Sequence, residues 1–263
     1  MAGFKNLPRL ASMTSKKTFF ISDAHLGTPN HEESLIREKL LVKWLEQVRH
    51  QAKEIYIVGD LFDFWFEYSR VIPKGFVRIL GKLAELSDAG VPIHFLTGNH
   101  DVWMKGYFEK ELKIPVYHNP VVRIIEGKKF YIAHGDGLGP GDYGYKLLKI
   151  IFRNPFCRWL FKWLHPDIGI MIADFWSKRS RYVSAEGQIE PFEGEDKEWL
   201  ILYSRSLLEK EHYDYLIFGH RHLALDIPLN DKSRFINLGD WLTCFTYAEF
   251  DGETFMIKRY SND

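Results

Sequence analysis

The feature that most restricts how this chain can fold is a repeated ending. Five short apolar runs, at 18–22, 55–58, 92–96, 129–133 and 215–218, each stop beside residues that carry oxygen or imidazole donors. The first leads to Asp23 and His25, the second to Asp60 and Asp63, and the third to Asn99, His100 and Asp101. The fourth leads to His134, the fifth to His220 and His222. Runs of this length bounded by turn residues read as buried strands. Between the first three lie segments of helical period. One covers 32–51, with Leu35, Ile36, Leu40, Leu41, Trp44, Leu45 and Val48 on one face; the other covers 76–86 and is closed by Gly90. Strand alternating with helix predicts an α/β domain with a largely parallel sheet. In open sheets of that kind, ligands bind in the crevice beyond the strand carboxyl ends.

The remaining pattern is β-like except for one stretch. Residues 121–126 and 129–133 read as a hairpin across Gly127-Lys128, and short runs follow at 224–228, 234–238 and 245–250, the last paired with 254–258. The stretch 139–192 is read as a helical lid inserted into a single domain over 1–263. Its aromatic residues, Trp159 and Trp163 among them, alternate with Lys and Arg, and Pro155 and Pro166 divide it into short helices. Either it is a subdomain with its own small core, or it is an amphipathic cover. A cover would turn an apolar face to acyl chains and a basic one to phosphates or anionic lipid. Aromatics among basic residues can also stack bases; ring-rich short helices with many Leu and Ile favour lipid.

Lys+Arg and Asp+Glu are each 35, so net charge gives no global attraction to nucleic acid, and none is expected as a partner. Two cysteines, Cys157 and Cys244, are too few for a disulfide framework. Residues 1–17 read as a flexible tail with no apolar run of signal-peptide length, and no stretch approaches the ~20 apolar residues of a spanning helix. A cytoplasmic protein is expected.

Taken singly, the donor residues have ordinary explanations: a loop pair, a helix cap at Asn99, a core histidine at 134. Their recurrence at five strand ends does not. All offer O or imidazole N and none is a thiolate, which suits Mn, Fe, Zn or Mg.

In order and spacing, Asp23-Ala24-His25, Gly59-Asp60-Leu61-Phe62-Asp63, Gly98-Asn99-His100-Asp101, His134-Gly135-Asp136 and Gly219-His220-Arg221-His222 resemble the calcineurin-like metallophosphoesterase signature. The resemblance implies an α/β/β/α sandwich holding two divalent cations, manganese being expected. Asp23, His25 and His222 would bind one ion, and Asn99, His134 and His220 the other, with Asp60 bridging through its two oxygens. Such a pair can clamp a phosphoryl oxygen and acidify a shared water. His100 would assist the leaving oxygen, Asp101 would orient His100, and Asp63 would support a ligand histidine.

The lid between the His134 and His220 motifs is similar to that of the UDP-2,3-diacylglucosamine hydrolases of lipid A synthesis. Those enzymes cleave the pyrophosphate to UMP and 2,3-diacylglucosamine 1-phosphate at the inner membrane face of Gram-negative bacteria. Many carry Arg where this chain has His100. The likeness implies a nucleotide-linked glycolipid substrate and peripheral attachment to the inner membrane. Lys178, Arg179 and Arg181 are the candidates for phosphate or uridine contacts, beside Asn99 and His100. The lid is expected to cover the metals and enclose a largely apolar cavity, with Trp159 and Trp163 holding acyl chain. The alternatives are a metallophosphoesterase for another phosphodiester or nucleotide, and a non-enzymatic scaffold of the same fold. A scaffold would be expected to lack part of the ligand set, which is complete here.

Overall fold

The computed structural model describes residues 16–139, 146, 149–150, 152, 154–183 and 191–261, the side chains of 174 and 176–183 excepted. Residues 1–15 of the expected tail lie outside this description, and Lys17 already opens the first strand.

Two sheets lie face to face. The first contains β1 (Lys17–Ile21), β2 (Ala52–Val58), β3 (Ile93–Leu96), β4 (Val116–Tyr117), β10 (Thr246–Phe250) and β11 (Phe255–Arg259), in the order β11-β10-β1-β2-β3-β4. The second contains β5 (Val121–Ile125), β6 (Lys128–Ile132), β7 (Tyr215–Phe218), β8 (Ala224–Pro228) and β9 (Arg234–Leu238), in the order β5-β6-β7-β9-β8. The first sheet is parallel from β1 through β4 and antiparallel only at its β10–β11 margin, whereas the second has a parallel centre and two antiparallel margins. The single largely parallel sheet read from the alternation is therefore two sheets. The second half of the chain supplies its own parallel trio, β6, β7 and β9.

Strand alternation sorts the core into layers. On β1, Phe19 and Ile21 turn outward to Leu41, Trp44 and Leu45 of α1 (His31–Val48) and Ile79 and Leu83 of α2 (Val77–Asp88). Phe20 turns inward with Tyr56, Val58 and Leu96 to meet Phe130, Ile132, Ile217 and Ile236 of the facing sheet. The outer face of the second sheet, with Tyr131, Leu216, Phe218 and Phe235, packs on Leu200 and Ile201. These two come from a helix at Trp199–Leu208. The layers are α/β/β/α, as the resemblance implied. A short helix, α3 (Tyr107–Glu111), packs Phe108 against the first sheet's outer core.

On α1, Ile36 faces solvent rather than the core. The buried positions beside it go to Arg37 and Glu38. Glu38 accepts from Arg78 N (2.9 Å) and Ile79 N (3.0 Å), the opening amides of α2, whose own N-cap residue supplies no side-chain cap. The β5–β6 hairpin turns through Glu126-Gly127, both at positive φ, one residue earlier than expected, so Lys128 is already in β6.

Within the lid, Pro155 and Pro166 open helices instead of breaking them: α4 (Pro155–Lys162), capped by Asn154, and α5 (Pro166–Val183). The Trp199–Leu208 helix that follows is α6. This stretch docks on the core through rings. Phe161 lies 4.7 Å from Phe66 and 4.9 Å from Trp103, and Trp103 Nε1–H donates to the Phe152 carbonyl at 2.7 Å. Buried Gly169 lets α5 approach closely here, since a Cβ would overlap the Tyr68 hydroxyl. Trp159 and Trp163 do not take part; they are 52% and 75% exposed.

Candidate metal centre

The parallel registers Phe19↔Ile55 and Ile55↔Ile93 level the ends of β1, β2 and β3, and Ile132↔Ile217 levels β6 with β7. The five turns that follow these strands meet at one rim of the sandwich. Asp23 N–H donates to the Gly59 carbonyl (3.1 Å), His25 N–H to that of Asp60 (2.9 Å), and Gly219 N–H to that of His134 (2.9 Å). The turns are tight. Asp23, His25, Asp60, His220 and His222 all have φ between 42° and 68°, a region non-glycine residues enter at a cost of about 1–3 kcal/mol each. They are also crowded: a Cβ at Gly98 would overlap Asp60 Oδ1, and one at Gly59 would overlap the His134 ring.

Donor atoms gather in two adjoining clusters, Asp23–His25–His222 and Asp60–His134–His220, each with all its ligand atoms within 4.8 Å of one another. In the first, His25 Nε2 and His222 Nε2 face each other at 3.1 Å, and Asp23 Oδ1 stands 3.4 Å from the latter. In the second, Asp60 Oδ2 is 3.2 Å from His134 Nε2, and Asn99 Oδ1 is 3.3 Å from the same nitrogen. Asp60 joins the clusters through one oxygen rather than two. Oδ2 lies 3.8 Å from His25 Nε2, while Oδ1 accepts from His100 N–H at 2.9 Å. His134 Nδ1–H donates to the Val58 carbonyl at 2.9 Å, turning Nε2 into the cluster.

The donors fit divalent cations. Asp23 Oδ1 is buried without a hydrogen-bond partner, and the Nε2 atoms of His25 and His222 converge on each other. Burial opposes charge on His25, yet the Asp23, Asp63 and Asp60 carboxylates push it up to about 10. Against the same burial, Asp60 and Asp23 hold His134 well above the ordinary imidazole value. His222 and His134 hold buried Asp23 well below the usual carboxylate range. Burial and the charge on His134 drop His220 to about 4. In the metal-free protein His25 and His134 therefore carry protons that a cation must displace. While His25 and His134 hold these protons each metal must compete with one, so affinity rises with pH, about tenfold per unit for every proton released. Manganese titration of the apoprotein at pH 7 and 8.5, in buffers of different ionisation enthalpy, should show release of roughly two protons. A pH-independent isotherm would contradict this charge assignment.

The supporting residues divide differently from expectation. Asp63 Oδ1 stands 3.5 Å from His25 Nδ1. Asp101 does not orient His100. Its Oδ1 accepts from Gly98 N–H (2.7 Å) and its Oδ2 from Leu61 N–H (3.0 Å), tying two of the turns together. Burial, with the Asp60 charge, raises it to about 7. The His100 ring instead directs Nδ1–H to the Asp63 carbonyl at 2.8 Å and stands edge-on to His25, centroids 4.7 Å apart. Asn99 caps no helix among the described residues. Lys178, Arg179 and Arg181 fall in the last turns of α5, with side chains outside the described residues.

Two supports were missed. Asp240 Oδ2 lies 3.6 Å from His222 Nδ1, fully buried after β9. The signal was available, since Leu238-Gly239-Asp240 repeats the strand–Gly–Asp ending of Val58-Gly59-Asp60. Arg37 of α1 is buried and donates to the Ala24 and His25 carbonyls, both at 2.8 Å, and to that of Thr28, bracing the first turn from behind. Nothing in its helical pattern marked it.

A cavity of about 670 Å³ separates α5 from the core. Asp63 and Phe64 form its wall toward the metal centre, and Ile170, Met171 and Phe175 its wall from the lid. It is less apolar than expected, since His31 and Lys74 line it too.

Residues 16–224 match the family model described as calcineurin-like phosphoesterase. Curated relatives are similar over nearly the whole chain. The UDP-2,3-diacylglucosamine hydrolase of Porphyromonas gingivalis (strain ATCC BAA-308 / W83) is 41% identical over 257 residues, covering 92% of this chain and 97% of the relative. That of Histophilus somni (strain 129Pt) is 29% identical over 245 residues, covering 92% and 99%. That of Aeromonas salmonicida (strain A449) is 31% identical over 232 residues, covering 85% of each. The family match takes in every donor-bearing turn from Asp23 to His222, and so the chain belongs to the calcineurin-like phosphoesterases and is a metal-dependent hydrolase.

Proposed function

We propose that this hydrolase cleaves the pyrophosphate of UDP-2,3-diacylglucosamine, giving UMP and 2,3-diacylglucosamine 1-phosphate, with manganese as its native ion. One observation carries the substrate reading beside the similarity to hydrolases of that name: the cavity between lid and core runs from apolar α5 side chains to Asp63, the neighbour of His25 and His100. A ligand with acyl chains at one end and a pyrophosphate at the other has that polarity. The volume lies in the range of small-ligand pockets, about 300–1,000 Å³.

Asp23, His25 and His222 would hold one cation and Asn99, His134 and His220 the other, with Asp60 shared by both. The cations supply polarisation of a phosphoryl oxygen and a water acidified toward neutrality. The chain's own residues do the rest. His100 keeps Nδ1 on the Asp63 carbonyl, which leaves Nε2 for the leaving oxygen. Burial holds its pKa down, and the charge of His25 adds to this. Negative charge on a phosphate beside the ring would favour the protonated, proton-donating form of His100. Lys178, Arg179 and Arg181, at the end of α5, would meet the nucleotide end.

The same reading gives the outward aromatics a place. Phe156 and Trp159 on α4 and Trp163 at its C-cap are exposed, with Phe156 stacked on Trp159 at 5.9 Å and Arg158 and Lys162 interleaved. No helix among the described residues is long and apolar enough to cross a membrane. A ring-rich, basic helix face suits the surface of an anionic bilayer, and attachment at the cytoplasmic face would bring the cavity mouth to its lipid.

Kinetics of a Met171→Ser/Phe175→Ser variant test the substrate. KM for the diacylated UDP-glucosamine should rise about tenfold or more, because the acyl chains bury less apolar surface against the shortened, polar side chains. Turnover of bis(p-nitrophenyl) phosphate should stay unchanged. Equal loss on both would remove the lipid from the cavity and favour another phosphodiester or nucleotide.

A further inference from the structure

The turn that carries His220 and His222 has a third side chain, and it leaves in another direction. Arg221 Nε–H donates to Glu198 Oε1 at 3.2 Å and Oε2 at 3.1 Å, and its guanidinium stacks over the Trp199 ring at 4.5 Å from the centroid. Both charged side chains are withdrawn from solvent, Arg221 10% and Glu198 3% exposed. Glu198 occupies the N-cap of α6 but makes no side-chain capping hydrogen bond; its carboxylate is given to Arg221 instead. Glu198 also stands where the chain returns from the lid, a few residues after 191, the first described residue beyond it.

The turn itself is under tension. His220 and His222 sit at φ 68° and 54°, and Arg221 N–H closes back on the Gly219 carbonyl at 2.8 Å. Non-glycine residues stay in that region only where surroundings hold them. Among the described residues the turn is held from different sides by His220 N–H on Asp23 Oδ2 at 2.9 Å, by Asp240 Oδ2 beside His222 Nδ1 at 3.6 Å, and by the Arg221–Glu198–Trp199 anchor between them. The first two belong to the metal centre. The third reaches out to α6.

We infer that Glu198 and Arg221 are positioning residues: the buried pair pins the midpoint of the His220–His222 turn to α6, and so sets both imidazoles for metal and links them to the lid's return. The inference rests on the reading of His220 and His222 as metal ligands. Arg221 acts through its neighbours and needs no contact with substrate. Its loss frees the turn to leave the left-handed region and turns both histidines away at once.

The test is manganese binding to the apoprotein of the full chain by titration calorimetry, with the melting temperature of each apoprotein measured alongside. Arg221→Ala and Glu198→Ala should each weaken manganese binding about tenfold to a hundredfold, the range for supports behind a ligand. The double variant should be no worse than the poorer single one, because the two act as a pair. Arg221→Lys keeps the charge but loses the two-pronged, stacked geometry, and should recover only part of the affinity. If the alanine variants fail to fold, Arg221→Lys and Glu198→Gln carry the test, each expected to bind several-fold more weakly. A lower melting temperature with manganese affinity unchanged would make the pair an ordinary fold element and overturn the proposal. His222→Ala separates the two readings: if it binds manganese as tightly as the parent, the ligand assignment itself fails. If it loses affinity while the Arg221 and Glu198 variants do not, only the positioning role falls.

Discussion

Asp60→Ala is expected to lower turnover by about a thousandfold or more while the fold survives. Asp60 is where the two donor clusters touch. Its Oδ2 is 3.2 Å from His134 Nε2 and 3.8 Å from His25 Nε2, and its Oδ1 receives the His100 amide. Removing the carboxylate takes away the anion that would screen one cation from the other, and it releases the backbone of the His100 turn. The sandwich core does not depend on it, because Asp60 lies beyond the end of β2 and outside the packed clusters. Metal content by plasma mass spectrometry should fall from two equivalents to one or fewer. Asp60→Asn keeps volume and one acceptor; it should restore folding stability fully and activity hardly at all. Two equivalents retained by the alanine variant, with parental turnover, would show that Asp60 joins nothing.

His100→Ala is expected to lower turnover of the diacylated UDP-glucosamine by about a hundredfold to ten-thousandfold, with metal content intact. The ring belongs to neither of the two main donor clusters, and its Nδ1 is committed to a backbone carbonyl. Proton donation matters in proportion to how poor the leaving group is. The loss should therefore shrink for p-nitrophenyl esters, whose leaving oxygen needs little help. An equal loss on good and poor leaving groups would make His100 a positioning group, and loss of metal would make it a ligand through the His25–Asp63–His100 grouping.

Much of this centre could be read from the chain because its chemistry sits on strand ends, where a short apolar run announces the turn that follows. Asp240 has the same announcement but no second donor beside it, so it does not stand out. Pairings across distance were not legible. Arg221 and Glu198 are 23 residues apart with no pattern between them, and Arg37 sits in a helix whose period gave no reason to expect a buried cation. α6 was missed because its sequence, WLILYSRSLL, is apolar almost all round and shows no clear period. α3 and β4 have five and two residues, too short for any period to register. The lid shows the other limit. A ring-rich helix declares that it has an apolar face, not what that face meets. Phe161 turns to the core, while Trp159 and Trp163, two residues to either side, turn away.

The two sheets do not contribute alike to the centre. Asp23, His25, Asp60 and Asn99 follow strands of the first, and His134, His220 and His222 follow strands of the second. Each cluster therefore spans the gap between sheets, a gap set by the inward side chains Phe20, Tyr56, Phe130 and Ile217. Stacked sheets stand about 10 Å apart, and their side chains interlock too closely to absorb a change of volume unnoticed. The sandwich thus behaves as a calliper with the donor clusters between its jaws. A methylene added or removed deep in the filling is transmitted to the rim as a change in jaw opening. Residues that never approach the chemistry are accordingly constrained by it, in size as well as in hydrophobicity.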